Sequence, residues 1–362
     1  MRNGDLHTPA NGGDAKRRRL RMSLLVVAAV LVVLMAAWAA FAIAYRAPGP
    51  MLARGDLVTL WLAFTLGVLV ILLRHDARLA LLAFVLAFVL VSLWWRSLEP
   101  SNARVWADDV ARTLRGQVDG DRIVLDDVRN FDWRTREDYT ARWETREYDL
   151  RRLASTDILL STWGRPSIAH MLVSFGFDDG EHLAFSVEIR REKHEEFSEI
   201  AGFFKQYELS IIAADERDIV RVRSNVRGEE VTLYRLRLDA QQRRALFLAY
   251  VGEANRLAAT PRFYDTITTN CTTLVYHLAR PIFGHLPLDH RLLRTGYLAE
   301  YLERLGGLVP GVALADLRER GRINDRAKAA DASPTFSRDI RVGVPGVGDD
   351  GARLEPGRRH PP

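Results

Sequence analysis

Cysteine is almost absent from this sequence of 362 residues, which contains Cys271 and no other. One cysteine cannot pair within the chain, so a fold held together by disulfides is excluded. A zinc site built from cysteine pairs is excluded for the same reason. An intrinsically disordered chain is also excluded, because 48% of the residues are apolar.

Charged side chains are scarce in one part of the chain and abundant in the other. Residues 23–99 contain 8 charged side chains in 77 positions, whereas residues 100–362 contain 81 in 263 positions. The sequence therefore predicts an apolar N-terminal part joined to a charged C-terminal part near Pro100.

Three long apolar runs, 24–44, 57–73 and 79–95, occupy the N-terminal part. A helix of about 20 residues spans a hydrocarbon core of roughly 30 Å, and only hydrogen-bonded elements are stable in lipid. We therefore predict three transmembrane helices within residues 23–99. A cleaved signal peptide is the alternative for the first run, since Ala42-Ile43-Ala44 resembles a cleavage site. The length of that run favours a membrane anchor.

The positive charge of the chain is concentrated in a basic flank, residues 1–22. This flank holds six Lys or Arg and two Asp, which gives +4 of the net charge of +5. Because short basic flanks stay in the cytoplasm, the N-terminus is predicted to be cytoplasmic and the chain after Trp95 extracytoplasmic. The remainder is almost neutral, so we expect no nucleic-acid partner.

Residues 100–324 are predicted to form an extracytoplasmic α+β domain. The strands are expected at 123–125, 147–150, 158–160, 168–177, 182–190, 210–214, 219–223 and 231–238. The helices are expected at 105–115, 239–257, 270–279 and 297–305. The charge run 215–218 is interpreted as a solvated turn. Residues 325–362, rich in Pro, Gly, Asp and Arg, are predicted to be a mostly disordered tail.

The lone cysteine lies in Thr268-Thr269-Asn270-Cys271-Thr272-Thr273, a sequence typical of a helix start. In the first turn of a helix, the free N–H groups and the dipole lower the pKa of a thiol and favour thiolate. The same N–H groups suit an oxyanion. A nucleophile and a buried cysteine that acts as a small apolar side chain both remain open.

A thiolate nucleophile needs a histidine, and His170 lies in a strongly apolar strand. If a three-residue turn at 178–180 joins this strand to the next, His170 faces Glu188, which would fix the imidazole tautomer. A two-residue turn would pair His170 with Ile189 instead. A histidine buried in the core is the simpler alternative. The spacing of HExxH is not found around His194, and we expect neither a metal nor a cofactor.

Several separated motifs carry a family resemblance. They occur in one order across residues 120–280, at 130–134, 157–163, 168–177, 186–190, 215–218, 233–236 and 270–273. Together they resemble the Lnb-type N-terminal periplasmic domain, a bacterial family. The resemblance implies a permuted papain-like fold of the NlpC and lecithin:retinol acyltransferase kind. In that fold an antiparallel sheet carries the histidine strand, which precedes the cysteine helix.

The resemblance also implies site residues. Cys271 would be the nucleophile and His170 its base, with Asn270 in support. The hairpin register, and not the resemblance, assigns Glu188 as the group that orients the imidazole. His182 is its rival, because relatives of lecithin:retinol acyltransferase have a second histidine a dozen positions after the first. The resemblance places the chain in a bacterial inner membrane with a periplasmic domain. In the lipoprotein transacylases of this family the membrane helices are expected to follow the domain, whereas here they precede it.

Three functions follow as expectations. The first is a membrane-anchored, cysteine-dependent acyltransferase or acyl hydrolase that acts on lipid-linked or lipoprotein esters or amides, with membrane lipids as partners. The second is a cysteine amidase or peptidase that acts on cell-wall peptides. The third is a non-catalytic envelope protein that binds a lipid or a protein partner.

Overall fold

The computed structural model of the chain describes residues 12–74, 77–284 and 286–348. These residues form two compact units. The first comprises residues up to 99 together with 204–206, and the second comprises 100–203 and 207–348.

The first unit is built from three helices, α1 (Gly12–Arg46), α2 (Met51–Arg74) and α3 (Ala77–Ser97). Each is long and apolar enough to cross a membrane, and the three helices contain the three apolar runs from which the spans were predicted. The helices pack through a small apolar core, in which the Trp61 indole donates a hydrogen bond to the Ala36 carbonyl at 2.9 Å. Residues 75–76, between α2 and α3, lie outside the described residues.

The second unit contains ten strands. They are β1 (Arg115–Asp119), β2 (Arg122–Arg129), β3 (Asp132–Trp133), β4 (Tyr139–Thr140), β5 (Trp143–Asp149), β6 (Leu153–Thr162), β7 (Ala169–Phe177), β8 (His182–Arg190), β9 (Glu208–Asp215) and β10 (Glu230–Arg235). Seven helices accompany them. They are α4 (Glu216–Arg221), α5 (Ala240–Ala259), α6 (Cys271–Phe283), α7 (Leu298–Arg304), α8 (Leu314–Gly321), α9 (Asn324–Ala329) and α10 (Phe336–Asp339).

One large sheet dominates this unit, with the strand order β1-β2-β9-β8-β7-β6-β10, and β5 pairs with β2. Neighbouring strands are antiparallel except β2 and β9, which run parallel. The short strands β3 and β4 form a separate pair. The second unit is thus a mixed α+β structure around a largely antiparallel sheet, as predicted.

Both faces of the sheet are covered by apolar contacts. On one face, aromatic side chains of β7 and β8 pack against α5, where the Phe175 and Phe247 rings lie 5.1 Å apart. On the other face, Leu159 and Leu172 pack against side chains of α4, α9 and α10, among them Phe336. Alternating side chains of one strand therefore serve two different cores.

The β7–β8 hairpin has the register that the sequence predicts with a three-residue turn. Leu172 pairs with Ser186 and Phe175 with Leu183, and Gly180 closes the turn with a φ of 89°, a conformation that favours glycine. Continuing this register by two residues brings His170 opposite Glu188. The two-residue turn is thereby excluded.

The prediction of a strand at 219–223 is wrong, because these residues are helical. Asp215 caps α4 by accepting a hydrogen bond from the Arg217 amide, and a π-helical turn, Val222–Val226, continues the helix. The interpretation of 215–218 as a solvated turn is also wrong, since Glu216 and Asp218 are both 0% exposed. Asp218 accepts hydrogen bonds from the Arg129 guanidinium and the Trp133 indole.

The predicted disordered tail is only partly within the described residues, and there it is ordered. Residues 325–348 contribute α10 and most of α9, and Phe336, Ile340 and Val344 are buried. Arg341 is 3% exposed and binds Asp157 and Glu216. The composition predicted disorder wrongly, because ion pairs from Arg341 to two carboxylates distant in sequence hold the segment in place. Residues 349–362 lie outside the described residues.

Of three further helices predicted in the second unit, two are present in the structure. The helix predicted at 239–257 corresponds to α5, which begins with a capping box: Asp239 and Gln242 exchange side-chain to backbone hydrogen bonds of 2.8 and 3.1 Å. The helix predicted at 297–305 corresponds to α7. The helix predicted at 105–115 is reduced to one 3-10 turn, Asp108–Val110.

Candidate active site

Helix α6 begins in a way that fixes the position of Cys271. The Asn270 carboxamide oxygen accepts hydrogen bonds from the Thr272 and Thr273 amides, and the Thr273 hydroxyl accepts one from the Asn270 amide. This reciprocal cap satisfies amides that a helix start leaves unpaired. Cys271 is therefore the first residue of the helix, as predicted.

The same cap reduces the number of backbone amides at the helix start that can bind an oxyanion. Two of the helix amides, those of Thr272 and Thr273, are occupied by Asn270. The Cys271 amide has no protein acceptor among the described residues. That amide is therefore the helix N–H group free to bind an oxyanion beside the thiol.

The Cys271 thiol is partly buried and interacts with the imidazole of His170, without a hydrogen bond of standard geometry between these two side chains. Its hydroxyl neighbour is Thr272, whose Oγ1 lies 3.9 Å from Sγ. Burial raises the pKa of the thiol, but the interaction with His170 and the contact with the Met171 backbone outweigh it, so the pKa is lowered. The environment favours thiolate.

His170 is the second residue of β7 and is 9% exposed. Its Nε2 lies 2.7 Å from the Ser186 hydroxyl and 3.3 Å from Glu188 Oε1. Ser186 donates its one proton to Glu188, at 2.6 Å, so it accepts from the imidazole. Nε2 thus carries the hydrogen, and Nδ1 is the nitrogen left for the thiol.

Glu188 is also held by an arginine. Arg223 Nη2 donates a hydrogen bond of 3.0 Å to Glu188 Oε1, and Nη1 donates one of 3.2 Å to Glu229. Arg223 is 6% exposed and belongs to the π-helical turn. The chain of contacts from Cys271 through His170 to Glu188 therefore ends on a buried cation.

Burial and neighbouring charges have opposite effects on the pKa values of His170 and Glu188. Burial and the Arg223 charge lower the pKa of His170, but the Glu188 charge and the Cys271 and Glu188 contacts outweigh them and raise it to about 8. Burial raises the pKa of Glu188, yet the charges of His170 and Arg223 hold it well below its usual range. Glu188 is therefore ionised at neutral pH and favours an imidazolium.

His182, the rival candidate for orienting His170, lies at the other end of the hairpin. Its Nδ1 contacts the Gly180 carbonyl at 3.0 Å, and its partner across the ladder is Gly176. The structure brings Glu188 to His170 and does not bring His182 there.

The other histidines of the second unit that the structure describes do not join the group. The side chains of His194 and His290 are 77% and 66% exposed, and His277 is exposed on α6. His285 lies outside the described residues. Among the residues that the structure describes, no group of three His, Cys, Asp or Glu side chains could hold a metal ion.

A cleft of about 1410 Å³ gives access to Cys271 and His170. Its walls combine charged side chains with large apolar ones, including Trp163, Phe197 and Phe203. A cleft of this size has room for an extended substrate.

Sequence reasoning missed two residues of the site, Ser186 and Arg223. Ser186 had a usable signal, because it precedes Glu188 by two positions and so shares its face of β8. Arg223 had no such signal, because it was predicted to lie in a strand at 219–223, and these residues are helical.

Replacing Glu188 with glutamine should lower the pKa of His170 below about 8, because a neutral amide no longer stabilises the imidazolium. The pKa is measured by NMR titration of histidine-labelled full-length protein. Glu181→Gln, on the exposed turn of the same hairpin, is the matched control and should leave the pKa unchanged. An unchanged His170 pKa in Glu188→Gln would contradict the assigned role of Glu188.

Residues 139–296 match the family model of the Lnb N-terminal periplasmic domain. The match confirms the resemblance seen in the motifs and includes β7, β8 and the start of α6. No curated protein and no solved structure matches the chain. Together with three apolar N-terminal helices, the match fits a membrane protein of the cell envelope with a periplasmic domain.

Proposed function

We propose that this membrane protein with an Lnb-type periplasmic domain is a thiol-dependent acyltransferase or acyl hydrolase. The observation that carries the proposal is the group of Cys271, His170 and Glu188 at one cleft. A thiol at a helix start, a base and a group that orients the base are the parts of a cysteine nucleophile.

The order of these parts along the chain supports a permuted papain-like arrangement. The histidine strand β7 precedes the cysteine helix α6, and α6 packs against the sheet that carries the histidine. The same order is what the family resemblance implies for the NlpC and lecithin:retinol acyltransferase kind of fold.

The proposed first step acylates the enzyme. His170 Nδ1 accepts the thiol proton, and Cys271 Sγ attacks the carbonyl carbon of an ester or amide. The Cys271 amide stabilises the oxyanion of the tetrahedral intermediate. The intermediate then breaks its bond to the alcohol or amine, which leaves with the proton from His170, and a thioester remains on Cys271.

The second step transfers the acyl group. An amine or a water molecule attacks the thioester carbonyl and passes a proton to His170, and Cys271 is released as thiolate. Glu188 and Ser186 keep the imidazole in one orientation through both steps. An amine acceptor makes the protein a transferase, and water makes it a hydrolase.

The test is capture of the thioester. Full-length protein in vesicles is incubated with a phospholipid, or a synthetic diacylglyceryl lipopeptide, whose acyl chain carries an alkyne. We expect the tag on Cys271 in a form released by neutral hydroxylamine, and none on Cys271→Ala. His290→Ala, which changes an exposed histidine, should label normally.

Two outcomes would overturn the proposal. Equal labelling of Cys271→Ala would show that the thiol takes no part. Cleavage of a muramyl peptide that depends on Cys271, with no acyl capture from either lipid, would identify the protein as a cell-wall amidase or peptidase instead.

A further inference from the structure

Four large apolar side chains are exposed on two loops of the second unit. The exposed fractions are 57% for Phe197, 50% for Ile200, 42% for Phe203 and 51% for Ile267. We call these four residues the apolar rim. Single exposed apolar residues are ordinary, but a group of this kind marks a surface that contacts a partner or a membrane.

The two loops of the rim are held together. The Thr266 hydroxyl donates a hydrogen bond of 3.3 Å to the Glu199 carbonyl. Gly202 lies so close that a side-chain carbon there would overlap the Thr266 hydroxyl. The rim is therefore one surface rather than two independent loop tips.

The rim borders the cleft that contains the thiol. Phe197, Phe203 and Cys271 are all lining residues of that cleft, and Cys271 follows Ile267 by four positions in the chain. Whatever the rim contacts is thus placed at the entrance to the candidate active site.

The chain leads from the rim directly into the helical unit. The next three residues, 204–206, belong to that unit. The Phe204 ring stacks on Phe41 and Tyr45, at 5.4 and 5.7 Å, near the C-terminal end of α1. Because consecutive Cα atoms are about 3.8 Å apart, the peptide bond from Phe203 to Phe204 tethers the rim to the segment that packs with α1.

We propose that the apolar rim inserts into the surface of the lipid bilayer that the three helices cross. Aromatic and branched apolar side chains are the residues that enter the boundary between headgroups and acyl chains. The tether at residues 204–206 keeps the rim near that boundary, so insertion does not require a free domain to find the membrane.

The consequence for substrate class rests on the proposed function. A rim that lies in the bilayer and borders the cleft lets an acyl chain pass from the membrane to Cys271 without crossing water. Transfer of an acyl chain through water costs about 0.8 kcal/mol for each CH₂ group. The substrate class is therefore a long-chain acyl ester or amide anchored in the membrane.

The test measures the depth of the rim in lipid. Full-length protein with Cys271→Ser receives one new cysteine by Phe197→Cys, Phe203→Cys or Ile267→Cys, and each carries a bimane label. Vesicles of phosphatidylcholine and phosphatidylglycerol contain lipids with a nitroxide near the headgroup. Val118→Cys, on β1 and 50% exposed, is the matched control.

We expect the rim labels to lose most of their fluorescence to lipid nitroxide and to be protected from aqueous iodide. The label at 118 should show the reverse. Quenching of the rim labels by iodide alone would overturn the proposal. Protection from iodide that disappears when the protein is diluted among more vesicles would also overturn the proposal. Such protection would come from a second copy of the chain that covers the rim.

This test is independent of the enzymatic one. Lipid quenching at the rim with no acyl capture on Cys271 would leave membrane insertion in place and remove the proposed chemistry. Acyl capture on Cys271 without lipid quenching would leave the chemistry in place and overturn the role of the rim.

Discussion

Replacing His170 with alanine should slow acylation of Cys271 by about 10²–10⁴-fold, the usual effect of losing a general base. The thiol itself should also become less acidic. His170 lowers the pKa of Cys271 against the effect of burial, so the variant should have a higher thiol pKa than the wild type. Iodoacetamide alkylation of full-length protein as a function of pH measures this shift.

The dependence of the acylation rate on pH should also differ between the wild type and the variant. In the proposed mechanism the leaving group takes its proton from the imidazolium, and the charge of Glu188 and the contact with Cys271 raise the pKa of His170 to about 8. The acylation rate of wild-type protein should therefore fall as the pH rises through about 8. The thiol and imidazole titrate as a pair, so the profile belongs to both groups.

The control for this experiment is His182→Ala, which removes a histidine from the same hairpin. We expect its alkylation profile to match that of the wild type, because His182 contacts the Gly180 carbonyl rather than His170. A His182→Ala profile like that of His170→Ala would mean that the orienting group has been assigned to the wrong residue.

Replacing Arg341 with alanine should destabilise the second unit by about 3–5 kcal/mol, the cost of leaving buried charges without their partner. The Arg341 guanidinium lies 2.7 Å from both Glu216 oxygens and 2.9 Å from Asp157. Both carboxylates are 0% exposed. Thermal unfolding in detergent should show a Tm lower by roughly 10 °C.

The destabilisation should depend on pH. Burial raises the pKa of Glu216, but Arg341 outweighs it and holds the pKa at about 2, below the ordinary 4.5. In the wild type this carboxylate stabilises the fold above about pH 4.5, and the contribution is lost as the pH falls toward 2. The Tm difference between wild type and variant should therefore be largest near neutral pH and narrow below 4.5.

Arg338→Ala is the matched control, because Arg338 lies in the same segment with a side chain that is 76% exposed. Its Tm should change by less than 2 °C, as expected of an exposed ion pair of roughly 0–1 kcal/mol. Equal Tm values for Arg341→Ala and wild type would show that residues 336–347 contribute little to the fold.

Much of the candidate site depends on local patterns and was predictable. The Asn270 to Thr273 cap is contained in four residues, and the hairpin register follows from a turn of three residues that ends in Gly180. These short-range rules were enough to place Cys271 at a helix start, and they left Glu188 and Ile189 as the two alternatives opposite His170, between which the structure decides. The three membrane spans were equally local, because they depend on uninterrupted apolar runs.

The features that could not be predicted depend on contacts between residues that lie far apart in the sequence. Glu216 and Arg341 are separated by 125 positions, so no local pattern shows that the charge run 215–218 is buried. The same separation explains why residues 325–348 resembled a disordered tail. Arg223 was missed because the apolar residues around it suit a buried helix and a strand equally well.

The π-helical turn at Val222–Val226 has a consequence for the length of the chain. Residues along an α-helix are about 100° apart, and a π-helical turn accommodates one extra residue. Deleting one residue between Glu216 and Arg223 would rotate the arginine away from Glu188 and Glu229 while leaving the composition of the segment almost unchanged. This segment should therefore tolerate many substitutions on its exposed face but no insertion or deletion, because the number of residues in the turn decides which way Arg223 points.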